Sequence, residues 1–385
     1  MLRTSQSRTI QPEHQKPTHH VWINGRFLGR KITGVERVAH EVLAALAREY
    51  VDAAGLHQGK LFDLQLHWAL PTDCKGKVPE YGVKWPTKVL GKMTGHAWEQ
   101  LLLAQHSPKD WVISLCNTAP ILRKRQAIFF HDAQVYAIPS NFNWRFRLWY
   151  KCLLNFAGRR AGLLLTNSVF SKQELAKFTR INSDRFKVVH LGVDHMLRLK
   201  AQLPSAVSQL DPAKLWVLAV SSASPNKNFA GALQAAQQAG VHLVIAGQTQ
   251  SKVFAEIAID KSQVTELGYV TDEELIGLYQ HASCLLYPSF YEGFGLPPLE
   301  AMRVGCPVIV SNTSSLPEVC GLAAHYCQPH DVANIQAVLE QVLALPKDAK
   351  TALSKQGQEH ASDFTWARSA QTLWDHLIEN IVQRS

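Results

Sequence analysis

The sequence of 385 residues lacks any uninterrupted apolar run of the roughly 18 residues a spanning helix needs, so no membrane-crossing helix is expected. Its opening, MLRTSQSRTIQPEHQKPTHH, has no apolar stretch, which argues against a secretory signal and reads as a disordered lead over residues 1–19. No CxxC pair occurs, and the seven cysteines are odd in number. Several sit in apolar, strand-like runs such as SCLLYP and CPVIV, which points to buried, reduced thiols in a cytoplasmic protein rather than a disulfide framework. GxxxxGK[ST], GxSxG and HExxH are absent, since GLHQGK has the wrong spacing for the first. No DxD occurs either, which argues against a divalent-metal clamp on a nucleotide diphosphate. A bound pyrophosphate would have to be met by lysine or arginine, backbone N–H groups and a helix N-terminus. Repeats and low-complexity tracts are also missing.

What is present is ordinary for a globular protein with a sizeable core: 46% hydrophobic and 18% charged residues. The formal charge is +9, and its placement is more telling than its size. Between Asp132 and Glu174 there is no acidic residue, while Arg145, Arg147, Lys151, Arg159, Arg160 and Lys172 are interleaved with Trp144, Phe146, Trp149, Tyr150 and Phe156. The segment 144–160 suits an anionic membrane surface or a phosphate-bearing partner. It is equally the pattern of a core helix with a solvated basic face. No nucleic-acid-binding motif accompanies the charge, so nucleic acid is not an expected partner.

Short apolar runs alternate with helical patterns: HVWING, LFDLQLHWAL, WVISL, QAIFFHD, GLLLTNS and FKVVHLG, then LWVLAV, VHLVIAG, SCLLYPS, CPVIVS and AAHYCQP. Helix-like stretches lie between them, as in ERVAHEVLAALAREY with Val38, Val42 and Leu46 at helical spacing. This alternation predicts an α/β chain of two Rossmann-like, doubly wound domains with parallel sheets. The rhythm breaks at MLRLKAQLPSAVSQLDPA. The expected boundaries are therefore 20–195 for the first domain, 196–213 for a linker, 214–362 for the second domain and 363–385 for a final helix. In such sheets ligands bind at the carboxyl ends of strands, so the loops just after strands carry the candidate chemistry.

Four such loops stand out. In SFYEGFGLPPLEAMRVG, Gly293 and Gly295 permit close backbone approach and positive φ. Pro297 and Pro298 are pre-set for a first helical turn, leaving Gly295 and Leu296 to donate free amides at a positive helix N-terminus. Glu292 and Glu300 are placed to accept from sugar and ribose hydroxyls, or else simply to cap a turn. In SSASPNKN, Lys227 can meet a phosphate as a point charge, or be a solvated turn lysine. In HDAQVYAIPSNFN, His131 can bond a sugar hydroxyl or be structural, and Asp132 can orient the imidazole or cap the following turn. In ITGVERVAHEV, Thr33 and Gly34 precede a helix in the form of an anion or acceptor loop.

The combination of EGFGLPPLE with SNTSSLPEV, TGVERVAHEVLAAL, the HD after a central strand, LLLTNSVFSKQEL, VVHLGVD, PNKN and FTWARSAQTLWDHL resembles the retaining glycosyltransferases of the GT-B fold, family four (glycosyl transferases group 1). The likeness covers nearly all of the chain after residue 20. It implies two domains facing across a cleft, an acceptor on the first and a nucleotide sugar on the second, and a final helix that crosses back. By motif match, Lys227 meets the diphosphate, and Glu292 with the Phe294-Gly295-Leu296 backbone contacts donor sugar and phosphate. Glu300 bonds the ribose, His131 lines the sugar pocket, and Gly34 sits at the phosphate side. Catalytic roles fall to Glu292 and His131, supported by Asp132, Thr33 and Asn226. No metal or other cofactor is implied. Many relatives carry arginine early in the SSASPNKN loop and directly before its lysine; here Ser221 and Asn226 stand at those places.

The resulting expectation is a cytoplasmic enzyme, peripheral on the inner face of the cytoplasmic membrane. It would move a hexose, with GDP-mannose the first donor, onto a polyprenyl-pyrophosphate-linked or saccharide acceptor in polysaccharide assembly. Its rivals are a sugar-nucleotide epimerase of the same fold and a catalytically silent sugar-nucleotide-binding scaffold subunit.

Overall fold

The computed structural model describes residues 16–211, 214–221, 224–247 and 261–383. The lead expected over 1–19 lies outside the described residues up to residue 15, and its last part is already strand, because β1 runs Thr18–Asn24. The expected linker is not bare coil. It holds a helical turn at Ser205–Ser208 with Val207 buried, and the Gln202 N–H donates to the Glu273 carbonyl. Its residues 212 and 213 lie outside the described residues.

Two sheets form, both built mainly from parallel strands. The first joins β1 to β2 (Leu56–Gln58), β3 (Asp63–Leu70), β4 (Thr87–Val89), β5 (Trp111–Ser114), β6 (Gln126–Phe129), β7 (Leu163–Thr166) and β8 (Phe186–Val188). Its main order is β3-β1-β5-β6-β7-β8, with β4 parallel and β2 antiparallel to β3. The second joins β9 (Trp216–Ser221), β10 (His242–Gly247), β11 (Val264–Gly268), β12 (Leu285–Tyr287), β13 (Val308–Ser311) and β14 (His325–Cys327). Its order is β11-β10-β9-β12-β13-β14, and every pairing is parallel. Central strands such as LLLT and VIVS are buried at every position, as parallel strands covered on both faces must be. In each sheet the winding reverses once, between β1 and β5 and between β9 and β12. These are the places where a doubly wound sheet opens a crevice for ligands. β2, β4 and β11 were not expected from the apolar runs, since each is short or mostly polar.

The helices that matter for the site are α1 (Gly34–Glu49), α2 (Trp144–Arg160), α3 (Val169–Thr179), α4 (Phe229–Gln238), α5 (Asp272–His281), α6 (Leu296–Arg303) and α7 (Trp366–Gln383). In α7, buried Trp366, Ala370, Leu373, Trp374, Leu377 and Ile381 recur at steps of three and four. That stripe lies on α1 of the first domain, where Trp374 stacks on Tyr50 with centroids 5.3 Å apart. The chain thus crosses between domains twice. The two crossings are bonded to each other: the Val193 N–H donates to the Phe364 carbonyl at 3.0 Å, and the Trp366 N–H to Asp194 Oδ1 at 2.7 Å. One apolar core runs continuously from β1 through α7 to β13. Truncating its aromatic anchor in Trp374→Ala should cost about 3–5 kcal/mol. The check is a lowered urea midpoint; an unchanged midpoint would show that α7 contributes little to the first domain.

Candidate active site

Where the carboxyl ends of the two sheets face each other, the structure leaves two adjoining cavities. The first, of about 390 Å³, is lined by Thr33, Gly34, His131, Asp132, Asn226, Lys227, Glu292, Phe294, Gly295 and Leu296, with Asn167 and Tyr287 among the rest. The second, of about 380 Å³, shares Thr33, Gly34 and Leu296 with it and adds Lys31, Arg37, His195, Tyr269, Asp272 and Glu300. All eleven sequence candidates therefore border these cavities, Glu300 on the second alone.

Lys227 stands at the end of the turn after β9, and Glu292 in the loop after β12. Both are largely buried and they meet directly: Lys227 Nζ donates to Glu292 Oε1 at 2.7 Å, to Oε2 at 2.9 Å and to the Tyr287 hydroxyl at 2.7 Å. An ammonium has three protons, so all three are in use. Asn226 borders the cavity and is bonded to the neighbouring loop. It is 2% exposed, its Nδ2 holds the Tyr291 carbonyl at 2.9 Å, and its own carbonyl accepts from the Phe290 N–H. Its part is to tie the lysine turn to the glutamate loop. The cations lining the second cavity are Lys31 and Arg37, both from the first domain.

Gly295 caps α6 with φ +108°, a conformation that favours glycine, and Leu296 and Pro297 open the helix. Gly293 departs from expectation, because its φ is not positive. What requires glycine there is proximity: a Cβ would lie 2.7 Å from the His131 carbonyl oxygen. Its own carbonyl accepts from Ser168 Oγ at 2.6 Å and Ser171 Oγ at 2.9 Å, both from the first domain.

His131 is 4% exposed, and its Nε2–H donates to the Leu115 carbonyl at 2.8 Å, which leaves Nδ1 as the ring's acceptor. Burial pulls the imidazole down to about 4, so it is neutral near pH 7. Asp132 takes the second of its two expected roles. Its Oδ1 accepts from the Gln134 N–H at 2.9 Å and caps the turn, while the Leu115 carbonyl orients the imidazole. Burial also pushes the Asp132 carboxyl up. Thr33 is the N-cap of α1 in a capping box with Glu36.

Glu300 is 7% exposed and held from two sides, by the Tyr279 hydroxyl at 3.4 Å and by His195 Nε2 at 3.4 Å. The Trp366 indole, which can only donate, reaches His195 Nδ1 at 3.1 Å, so the His195 proton is on Nε2, toward Glu300. Sequence reading missed His195, although it ends the HLGVDH run. It also missed Asn167, whose buried Oδ1 has no partner among the described residues.

Sequence reading did not anticipate a clasp across the cleft. The Glu318 carboxylate, from the second domain, accepts from the Val169 and Phe170 N–H groups at 2.8 and 2.9 Å and so caps α3 of the first. His190 Nε2 approaches the same carboxylate at 3.0 Å. Arg37 and Asp272 pair on the other side at 2.7 Å, and Lys31 lies over the Tyr269 ring. Among the described residues, no three His, Cys, Asp or Glu side chains converge as metal ligands.

Two doubly wound domains whose strand ends face each other across a cleft define the GT-B fold. Solved structures agree at the level of the fold. Anabaena HepE in complex with UDP-glucose superposes with a TM-score of 0.68 at 18% identity, over 94% of this chain and 99% of that one. WaaG, a glycosyltransferase involved in lipopolysaccharide biosynthesis, gives 0.63 at 16% identity, over 92% and 98%. The chain belongs to the family described as glycosyl transferases group 1, whose model matches residues 204–360. It is 30% identical over 357 residues to O-antigen chain mannosyltransferase B of Escherichia coli, covering 87% of this chain and 93% of that protein. To O-antigen chain mannosyltransferase RfbU of Salmonella typhimurium it is 29% identical over 252 residues, 64% and 68% of the respective chains.

The Glu318 clasp carries a pH prediction. Burial pushes this carboxyl up, but His190 and the two amides outweigh it and hold it below its ordinary value of 4.5. A depressed carboxyl stabilises the closed form fully above that ordinary value, and the contribution is lost as pH falls through the lower folded one. Small-angle scattering should show the chain expanding as pH falls below that ordinary value and on through the lower folded one, and Glu318→Ala expanded already at pH 7. Identical scattering from variant and wild type at both pH values would remove the clasp from the account.

Proposed function

We propose that the chain transfers a mannosyl group from GDP-mannose, with retention of configuration and without a metal ion, to a polyprenyl-pyrophosphate-linked or saccharide acceptor in cell-surface polysaccharide assembly. The observation that carries this reading is the pairing of Lys227 with Glu292 beside the α6 N-terminus, inside a cavity closed from above by His131. A cation and free helix amides suit the donor diphosphate, while a carboxylate and a neutral imidazole acceptor suit sugar hydroxyls. The second cavity then takes the nucleoside, with Glu300 on the ribose, and Lys31 and Arg37 as the further cations. The bond from C1 to the diphosphate oxygen breaks, and the acceptor oxygen bonds C1 on the same face. The departing phosphate oxygen takes the acceptor's proton. Developing negative charge on that phosphate draws Lys227 away from Glu292, which frees the carboxylate for the sugar. Mannose is preferred because two of the relatives above are named mannosyltransferases.

The test is transfer of labelled mannose from GDP-mannose to lipid-linked acceptor, run in the presence of a chelator. Wild type should turn over, and Glu292→Ala should lose at least about 10²-fold in rate with an unchanged circular-dichroism spectrum. Tight donor binding without turnover would favour the scaffold reading, and near-normal activity in Glu292→Ala would sink the site assignment.

We further propose that α2 rests on an anionic membrane. No described helix is long and apolar enough to cross one. On α2, Trp144 and Leu148 are 66% and 59% exposed one turn apart, and Arg145 lies against the Trp144 ring. An exposed apolar pair flanked by cations suits insertion at a headgroup boundary. Reversing the charges of Arg145, Arg147 and Lys151 should release the chain from anionic liposomes at moderate salt. Undiminished sedimentation with the liposomes would exclude α2.

A further inference from the structure

The second sheet places its Lys227–Glu292 pair beside the switch point between β9 and β12. The first sheet has the equivalent switch point between β1 and β5, and a second cation–carboxylate pair is built there. Glu99 is wholly buried, and its Oε1 accepts from Asn24 Nδ2 at 2.6 Å and its Oε2 from Arg26 Nη1 at 2.9 Å. Asn24 ends β1, and its Nδ2 also reaches Ser114 Oγ, at the end of β5, at 3.2 Å. Burial pushes the Glu99 carboxyl up, but the side chains around it, His96 first and then Arg26 and Asn24, outweigh this and hold it below its ordinary value. Glu99 rides on a π-helical stretch, Trp98–Leu103, a geometry that is rare and concentrated at functional sites. A buried ion pair is an expensive way to stabilise a fold when apolar packing would serve.

What the pair holds in place faces outward. Arg26 Nη1 also meets His96 Nδ1 at 3.0 Å. A guanidinium only donates, so that nitrogen accepts and the ring's N–H is Nε2. The His96 side chain is 39% exposed, and Trp149 of α2 lies edge-on to it with centroids 4.9 Å apart. The indole N–H of Trp149 is buried without a partner among the described residues. A second pair stands on the cavity side, where Arg30 meets Glu36 and Glu36 bonds Thr33 on the wall of the first cavity. Charge decides the ligand class. Glu99 cancels Arg26 and Glu36 cancels Arg30, so little net positive charge remains for a phosphate. A guanidinium, an imidazole N–H and an aromatic face fit hydroxyls and the C–H face of a neutral sugar ring.

We infer that Arg26, His96 and Trp149, positioned by buried Glu99 at the first sheet's switch point, bind a neutral sugar unit of the acceptor. This rests on the reading of the chain as a transferase acting on a saccharide-bearing acceptor. The lipid pyrophosphate, where present, must then lie outside this cluster.

The test uses the full chain, with α-linked mannobiose as probe, titrated by NMR with and without saturating GDP. Mannobiose should bind the wild type, and His96→Ala should weaken it at least tenfold while leaving GDP affinity within twofold. His96 is exposed enough for that variant to fold. Arg26→Lys, which keeps a positive charge beside Glu99, should weaken mannobiose similarly and confirm that the fork geometry matters. Inorganic pyrophosphate should not displace mannobiose once GDP is saturating. The inference is overturned if the wild type binds no mannobiose, if both variants bind it as the wild type does, or if pyrophosphate competes. Failure to bind GDP with mannobiose binding intact would count against the donor reading alone.

Discussion

The Gly293 carbonyl, shared by the Ser168 and Ser171 hydroxyls, sets how near the two domains can come. Two hydroxyls from one domain converge on a backbone atom of the other at a point where a side chain has no room. Everything at the cleft follows from that seam. It brings His131 over the first cavity, sets Glu318 within reach of the α3 amides, and places Thr33 and Gly34 against Leu296 between the two cavities. The flanking Arg37–Asp272 pair is half-exposed and adds less, as surface pairs do. The closure is thus specified mainly by buried hydrogen bonds, which tolerate little displacement.

The Lys227–Glu292 pair gives the site its electrical character. Each charge is satisfied by the other before any ligand arrives, which is how two ionised groups can be this buried. A ligand that brings only a phosphate, or only hydroxyls, disturbs one partner and strands the other. Under the proposed function a nucleotide sugar would bring both, a negative diphosphate for the lysine and donor hydroxyls for the carboxylate, and the pair would discriminate by composition as well as by shape.

Much of this was legible in the sequence because the relevant signals are local. Alternating apolar runs and helical patterns give the two sheets, and glycine before a double proline gives the α6 N-terminus with its flanking glutamates. The strand ends carrying Thr33, His131, Lys227 and Glu292 could be located by counting along the chain. The rest depends on pairings that no local pattern encodes. Glu318 caps amides 149 residues away, and Trp366 fixes a histidine 171 residues away. Glu99 meets Asn24 across 75 residues, from a helix whose register is itself irregular. Gly293 shows the limit most clearly, since a glycine needed for proximity and one needed for positive φ look alike in sequence.

The two interdomain crossings, bonded at Val193–Phe364 and Asp194–Trp366, have a topological consequence. Because α7 packs back on α1 of the domain that holds β1, two separate segments of the chain join the domains. A protease nicking one crossing would leave the other as a tether. The Trp366–His195–Glu300 relay runs from this double strap to the second cavity, so strap and cavity share a wall.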